Sequence, residues 1–337
     1  MSSRSSATGS RPDAEVRFIV YGAGAIGGVV GARLAQGGHD VALIARGAHF
    51  EAIRDHGLRI QSPIDDATLA IPVVNHPSQL TFSADDVVML AMKSQDTIAA
   101  CEALGACATP DISVTCFQNG VENERVVLRH FADTYAVCVM SPTSHIEPGV
   151  VIAQSAPVSG LLDIGRYPSG LDDRAHAIAA AINASTFHSI PRPDVMRWKY
   201  TKLLMNLANS IEATVTPDPK VKDLAAIVRT EGEACLRAAG IDFASRAEDK
   251  ERRADRMHVQ PVNGEYRGGG SSWQSLARGT RSIETDYLNG EIVMLGRLHG
   301  VATPANALMQ RVANEQARLA APPQSVPVGT LLAQLES

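Results

Sequence analysis

The stretch Arg17-Phe18-Ile19-Val20-Tyr21-Gly22-Ala23-Gly24-Ala25-Ile26-Gly27-Gly28 constrains the fold more than any other part of the chain. A short β-prone run enters a glycine loop, and a helix-compatible run, Val29 to Gln36, leaves it. Gly22, Gly24 and Gly27 stand in G-x-G-x-x-G spacing. The first glycine permits a tight turn, the second lets a pyrophosphate approach the backbone, and the third lets the helix pack closely on the strand. The phosphates of a dinucleotide would sit at the helix N-terminus, where free N–H groups and the positive end of the helix dipole meet them. The bland alternative is a glycine-rich turn with no ligand.

The next strand, Asp40 to Ala45, carries information about which dinucleotide. A carboxylate at the end of this strand would hold the ribose 2′-OH of NAD. Here the strand ends in Arg46-Gly47, and a guanidinium there suits the 2′-phosphate of NADP through forked hydrogen bonds. Asp40 is acidic but begins the strand, at the wrong end.

Further strands are expected at 57–61, 68–74, 112–117 and 136–140, with 150–153 and 160–164 forming another pair. The run Asp86 to Met92 is almost continuously apolar, as in a parallel strand covered on both faces. Lys93 and Asn119 each follow a strand, at the end where open α/β sheets bind ligands. A helix is expected at 172–184. Alternation of strands and helices behind a glycine loop argues a Rossmann-type, doubly wound α/β domain.

The pattern changes near Pro191-Arg192-Pro193, and helical periodicity dominates beyond it. Helices are expected from Asp194, at 223–239, 244–258, 271–298 (with a break near Gly279) and 305–319. The division is therefore a tail at 1–15, an NADP-binding domain at 16–191, an all-helical substrate domain at 192–322 and a C-terminal tail at 323–337. In the helix from Asp194, Lys202 and Asn206 are four residues apart and share a face. A lysine on such an apolar helix either reaches out to solvent or is placed for chemistry. Glu284 and Asp286 are open to the same two readings.

At 337 residues and 45% apolar composition, the chain can build two cores. A net charge of −5 with mixed signs gives no field for nucleic acid. The five cysteines form no C-x-x-C pair, so neither a metal site nor a disulfide framework is expected, and a reducing, cytoplasmic setting fits. No apolar run is long enough to span a bilayer. Residues 1–15 lack the apolar core of a signal peptide. They read as a disordered tail, with a transit peptide as the alternative.

Together these pieces resemble the ketopantoate reductase family (2-dehydropantoate 2-reductases) from about Arg17 to about Leu319. The resemblance implies an NADPH-dependent reduction of a 2-keto acid in a cleft between the two domains. It implies a cofactor loop of Gly22, Gly24, Ala25, Ile26 and Gly27, a 2′-phosphate arginine at Arg46, and cofactor contacts from Lys93 and Asn119. Lys202, in Lys202-Leu203-Leu204-Met205-Asn206, matches the catalytic lysine. Glu284, in Glu284-Thr285-Asp286-Tyr287-Leu288-Asn289-Gly290, matches a glutamate that orients that lysine, binds a substrate hydroxyl and lies by the cofactor. Asn119, Asn206, Ser210 and Ser272 take substrate-binding positions. A homodimer is left open.

Two departures stand out. The family often carries a second asparagine two turns after the lysine, where this chain has Ser210, with Asn209 one position early. Trp198 lies four residues before Lys202, where two would be expected. An opine-type or hydroxy-acid dehydrogenase needs a histidine relay, and His145 and His188 have no clear carboxylate partner in sequence. A non-enzymatic NADP sensor would keep the glycine loop and Arg46 but would not need Lys202, Asn206, Ser272 and Glu284.

Overall fold

The computed structural model describes residues 16–336. The expected tail at 1–15 lies outside the described residues. The chain enters through β1 (Phe18–Tyr21), α1 (Ala25–Gln36), β2 (Val41–Ile44) and α2 (Gly47–His56). It continues through β3 (Leu58–Gln61), β4 (Asp66–Leu69), β5 (Val73–Val74), β6 (Val87–Leu90), α3 (Thr97–Gly105), β7 (Ser113–Cys116) and α4 (Asn123–Leu128). Then come β8 (Thr134–Met140), β9 (Thr143–Ser144), β10 (Val150–Ala153), β11 (Ser155–Pro157), β12 (Leu161–Arg166) and α5 (Asp173–Ala184).

Seven of these strands form one sheet in the order β12-β8-β7-β6-β1-β2-β5. All pairings in it are parallel except β12 against β8. The order reverses at β1, which lies between β2 and β6, so a crevice opens above the C-terminal ends of β1 and β6. β6 is buried along its length, as its apolar run requires of a central parallel strand. One sheet face packs on α1 and α5. The other packs on α3 and α4.

The segments 150–153 and 160–164, expected as a pair, join different sheets. β10 lies between β3 and β9 in a four-stranded sheet, and β12 extends the main sheet beside β8. α2 gave no sequence signal because it buries only Ile53 and has no apolar stripe to read.

The helical half holds α6 (Val195–Asn206), α7 (Asn209–Thr214), α8 (Val221–Ala238), α9 (Arg246–Arg253), α10 (Ser271–Ala277), α11 (Asn289–His299), α12 (Pro304–Arg318) and α13 (Val328–Glu336). Leu203, Leu204, Leu207, Ile292 and Met309 anchor its core. Local signals set several ends. Ser245 and Glu248 form a reciprocal capping box on α9. Pro304 opens α12, and Gly300 closes α11 with φ +70.

Three expectations need correction. The helix expected over 244–258 stops at Arg253, and Met257–Val259 forms a strand, β13, antiparallel to β11 of the sheet half. The helix expected over 271–298 is α10, an extended link, a single 3-10 turn at Glu284–Tyr287, and α11. The break begins at Gly279, with φ +62. The expected tail at 323–337 contains α13, whose Val328 and Leu331 are buried in the helical core.

Candidate active site

A cleft of about 740 Å³ runs between the sheet half and the helical half. Its volume is in the range of sites for small ligands and cofactors. Gly22, Gly24, Ala25 and Ile26 form one end of its wall. Gly22 has φ +98, and a Cβ there would lie 2.7 Å from the Met92 nitrogen. Gly27 is buried behind the loop, where a Cβ would lie 2.2 Å from the Gly22 carbonyl oxygen. Nothing lies within 4 Å of the Cβ position at Gly24, which faces open space. No side chain caps the first turn of α1, so its leading N–H groups are available to an anion.

His49 sets the loop from behind. Its Nε2 donates to the Ala23 carbonyl at 2.7 Å, and its Nδ1 accepts from the Gly149 amide at 2.9 Å. Burial and the neighbouring His145 ring, 4.1 Å away, hold it neutral, with its pKa lowered to about 4. No motif marks His49, since its partners are 26 and 100 residues away in sequence.

Arg46 stands at the end of β2 on the same wall. Its side chain is 70% exposed and lies 3.5 Å from Asp96, itself 44% exposed. Exposed pairs of this kind hold weakly, so the guanidinium can turn to a 2′-phosphate. Free amides, open space at Gly24 and an arginine at the strand end together fit NADP(H).

The deeper part of the cleft brings Lys93, Asn119, Lys202, Asn206 and Glu284 together. Asn119 lies in the turn after β7, and a buried network supports it. Asn123 Nδ2 donates to the Asn119 carbonyl and to Ser94 Oγ, each at 3.0 Å. Thr97 Oγ1 donates to Asn123 Oδ1 at 2.7 Å. Gln118 Nε2 donates to Thr97 Oγ1, also at 2.7 Å.

α6 splits its residues between two tasks. Leu203, Leu204 and Leu207 enter the helical core. Lys199, Lys202 and Asn206, at helical spacing, turn toward the sheet half. Lys199 makes a buried ion pair with Glu124 of α4 and donates to the Gln118 carbonyl at 3.1 Å. Burial pushes the Glu124 carboxyl up, against the pull of the Lys199 charge. This pair docks α6 on the sheet half one turn before Lys202. Trp198 sits among three guanidinium groups, with Arg192 4.4 Å from its ring centre, Arg252 at 5.3 Å and Arg197 at 5.4 Å.

Lys202 lines the cleft with no carboxylate within 4 Å of its amine among the described residues. Burial lowers its pKa to about 8. Cys138 opposes that shift, while Arg252, Lys199 and Arg267 reinforce it. The expected Glu284–Lys202 contact is therefore corrected. Glu284 instead accepts from Lys93 Nζ at 2.7 Å, from the Ser94 amide at 3.0 Å and from Ser94 Oγ at 3.1 Å. The reason is placement: the Glu284–Tyr287 turn abuts the Ser94–Asp96 turn that follows β6. Burial would push Glu284 up, but the Lys93 charge and these hydrogen bonds outweigh it and hold the carboxyl below its usual range.

Two expected substrate residues are not on the cleft wall. Ser210 is buried, with Oγ donating to the Leu207 carbonyl at 3.1 Å. Ser272 is buried in α10 beside the wall, and Ser271 and Gln274 of that helix line the cleft instead. Asn209 also lines the cleft, which accounts for the asparagine one position early. Asn206 Nδ2 is enclosed and has no hydrogen-bond partner among the described residues. His145 lines the cleft, and its Nδ1 donates to the Val150 carbonyl, 3.0 Å away. His188 Nε2 has no partner, so neither histidine heads a carboxylate relay among the described residues.

Fold and cleft define a two-part oxidoreductase with a nicotinamide cofactor, and the similarity of the chain to known proteins is consistent. The family model described as Ketopantoate reductase PanE/ApbA matches residues 18–169, and its C-terminal counterpart matches 194–317. The 2-dehydropantoate 2-reductase of Halobacterium salinarum is 30% identical over 86% of this chain and 95% of its own length. That of Pyrococcus horikoshii is 28% identical over 87% of this chain and 95% of its own. The crystal structure of a PanE/ApbA family ketopantoate reductase from Ralstonia eutropha JMP134 superposes with a TM-score of 0.75 at 28% identity, covering 90% of this chain and 99% of that one. D-mandelate dehydrogenase in complex with NADH and anilino(oxo)acetate has the same fold, with a TM-score of 0.75 at 20% identity.

The chain belongs to the ketopantoate reductase family, whose members are NADP-dependent oxidoreductases. No described helix is long and apolar enough to cross a membrane.

Proposed function

We propose that this chain reduces the C2 carbonyl of a 2-keto acid, and that the substrate is 2-dehydropantoate, giving (R)-pantoate for pantothenate and coenzyme A synthesis. The observation that carries this reading is the place of Lys202, which lines the cleft between the halves with no carboxylate within 4 Å among the described residues, its pKa lowered by desolvation to about 8. NADPH supplies a hydride to C2 when bound. Negative charge then grows on the carbonyl oxygen, and Lys202 donates a hydrogen bond and finally a proton to it. A pKa near the working pH makes the ammonium both populated and ready to release its proton. The neutral amine recovers a proton from solvent before the next turnover.

Asn206 and Asn119 orient the substrate and the nicotinamide across the cleft. Glu284 holds Lys93 at the cofactor side and presents a carboxylate edge to a substrate hydroxyl. Arg46 receives the 2′-phosphate. Ser210 and Ser272 lie off the wall, which favours a second reading: the same reaction on a different 2-keto acid. NADPH oxidation against a panel of 2-keto acids that includes ketopantoate tests both. Turnover of ketopantoate above the rest supports the first reading, a different preferred acid supports the second, and no turnover with any acid rejects both.

A further inference from the structure

Two cations on the cleft wall have no task in that reaction, Arg278, which donates to the His145 carbonyl at 2.8 Å, and Arg267, which has no such partner. Arg267 lies between β13 and α10 and faces the cleft. Its guanidinium makes no hydrogen bond or ion pair within the described residues, and its enclosed Nε has no partner. Burial pulls its pKa down, with Glu212 opposing. The Glu212 carboxylate is itself engaged by the Gly270 amide, at 3.1 and 3.2 Å from its two oxygens. Arg267 and Lys202 line the same cleft, and the charge of Arg267 bears on Lys202.

The segment that carries Arg267 is fixed in place. The Trp273 ring packs on Gly268 and Gly269, where Cβ atoms would come within 2.8 and 2.5 Å of it. A guanidinium held this way, partly out of water and without an acceptor, is preorganised for an anion. A planar carboxylate matches its fork with two parallel hydrogen bonds.

We propose that Arg267 binds the C1 carboxylate of the substrate and so selects 2-keto acids over neutral carbonyl compounds. It takes the place expected for Ser272. A carboxylate seated there leaves C2 one bond away, in the cleft that Lys202 also lines. The inference rests on the keto-acid reading of the cleft. A cofactor phosphate offers similar anion chemistry, and the experiment separates the two sources.

The test uses the full chain with NADPH and the variants Arg267→Gln and Arg267→Lys, each checked for an unchanged thermal midpoint. The best 2-keto acid from the panel and its methyl ester are compared, together with NADPH affinity by fluorescence titration. Losing a buried charge pair predicts a fall of ~100-fold in kcat/KM for the acid in Arg267→Gln, chiefly through KM, with partial recovery in Arg267→Lys. The ester and NADPH affinity should change by less than about threefold. Equal losses for acid and ester overturn the proposal. So does weakened NADPH binding with the acid-to-ester ratio intact, which assigns the guanidinium to the cofactor. Calorimetric binding of oxamate, an unreactive 2-keto acid analogue, to the cofactor complex gives a readout independent of turnover. If the wild-type protein reduces neither acid nor ester, the keto-acid reading fails. Oxamate binding that Arg267→Gln abolishes still supports the anion site, and its absence or indifference to the substitution overturns it.

Discussion

The two walls of the cleft use their polar groups in opposite ways. On the sheet side the groups around Lys93 and Asn119 are held in a network, with Gln118 Oε1 its one open buried acceptor among the described residues. Glu284, reaching across from the helical half, is held by Lys93 and Ser94, and Asn119 is braced through Asn123, Thr97 and Gln118. On the helical side Lys202 has no carboxylate, Asn206 Nδ2 has no partner and Arg267 has no acceptor among the described residues. A buried donor left unmatched costs free energy that a matched one does not. The contrast teaches that the Lys93–Asn119 part of the sheet wall is braced before anything binds, while the helical wall facing it leaves its polar groups for what binds there. Lys199 and Lys202 show the difference within one helix: one turn apart, the first locks the halves together and the second faces the cleft.

This contrast can be broken by substitution. Lys202→Ala should lower kcat for keto-acid reduction by roughly 10²- to 10⁴-fold, the usual worth of a positioned proton donor. NADPH affinity, measured by fluorescence titration, should stay within about threefold of wild type. Unchanged turnover would remove Lys202 from the chemistry. Lys199→Met, by contrast, should act on stability. Leaving Glu124 buried without its partner should cost ~3–5 kcal/mol in denaturant unfolding. Adding Glu124→Leu should restore much of that loss, and additive losses would show that the pair does not couple.

Arg46→Ala sharpens the comparison on the cofactor side with a smaller effect. The guanidinium is mostly exposed, so NADPH affinity should fall by about tenfold, or ~1.4 kcal/mol, with NADH unchanged. Equal losses for both cofactors would argue against a 2′-phosphate contact.

Residues whose position follows from local chain geometry were legible in the sequence. The glycine loop, Arg46, Lys93 and Asn119 sit at strand ends, and Lys202 with Asn206 sits on one helix face, so pattern and period locate them. Residues whose role depends on distant contacts were not. Glu284 meets Lys93 across 191 positions, and Lys199 meets Glu124 across 75. A match to a family motif placed Glu284 near the site but named the wrong partner. The sequence also hid α13: Pro322, Pro323 and Pro327 interrupt the pattern before it, and its apolar face packs on α8 and α12 outside its own segment. β13 was hidden for a related reason: its pairing strand, β11, lies about a hundred residues earlier, near the limit of what any local pattern can report.

The central claim is that the unpaired Lys202 ammonium supplies the proton. The pH dependence of kcat/KM, measured in both reaction directions, tests it most directly. A folded pKa lowered to about 8 leaves the amine protonated below that pH and neutral above it. Reduction should therefore hold steady below about pH 8 and fall roughly tenfold per pH unit above, while oxidation of the hydroxy acid should rise with pH and level off past the same point. Profiles that stay flat through this window in both directions, or that bend the same way in each, would contradict the account.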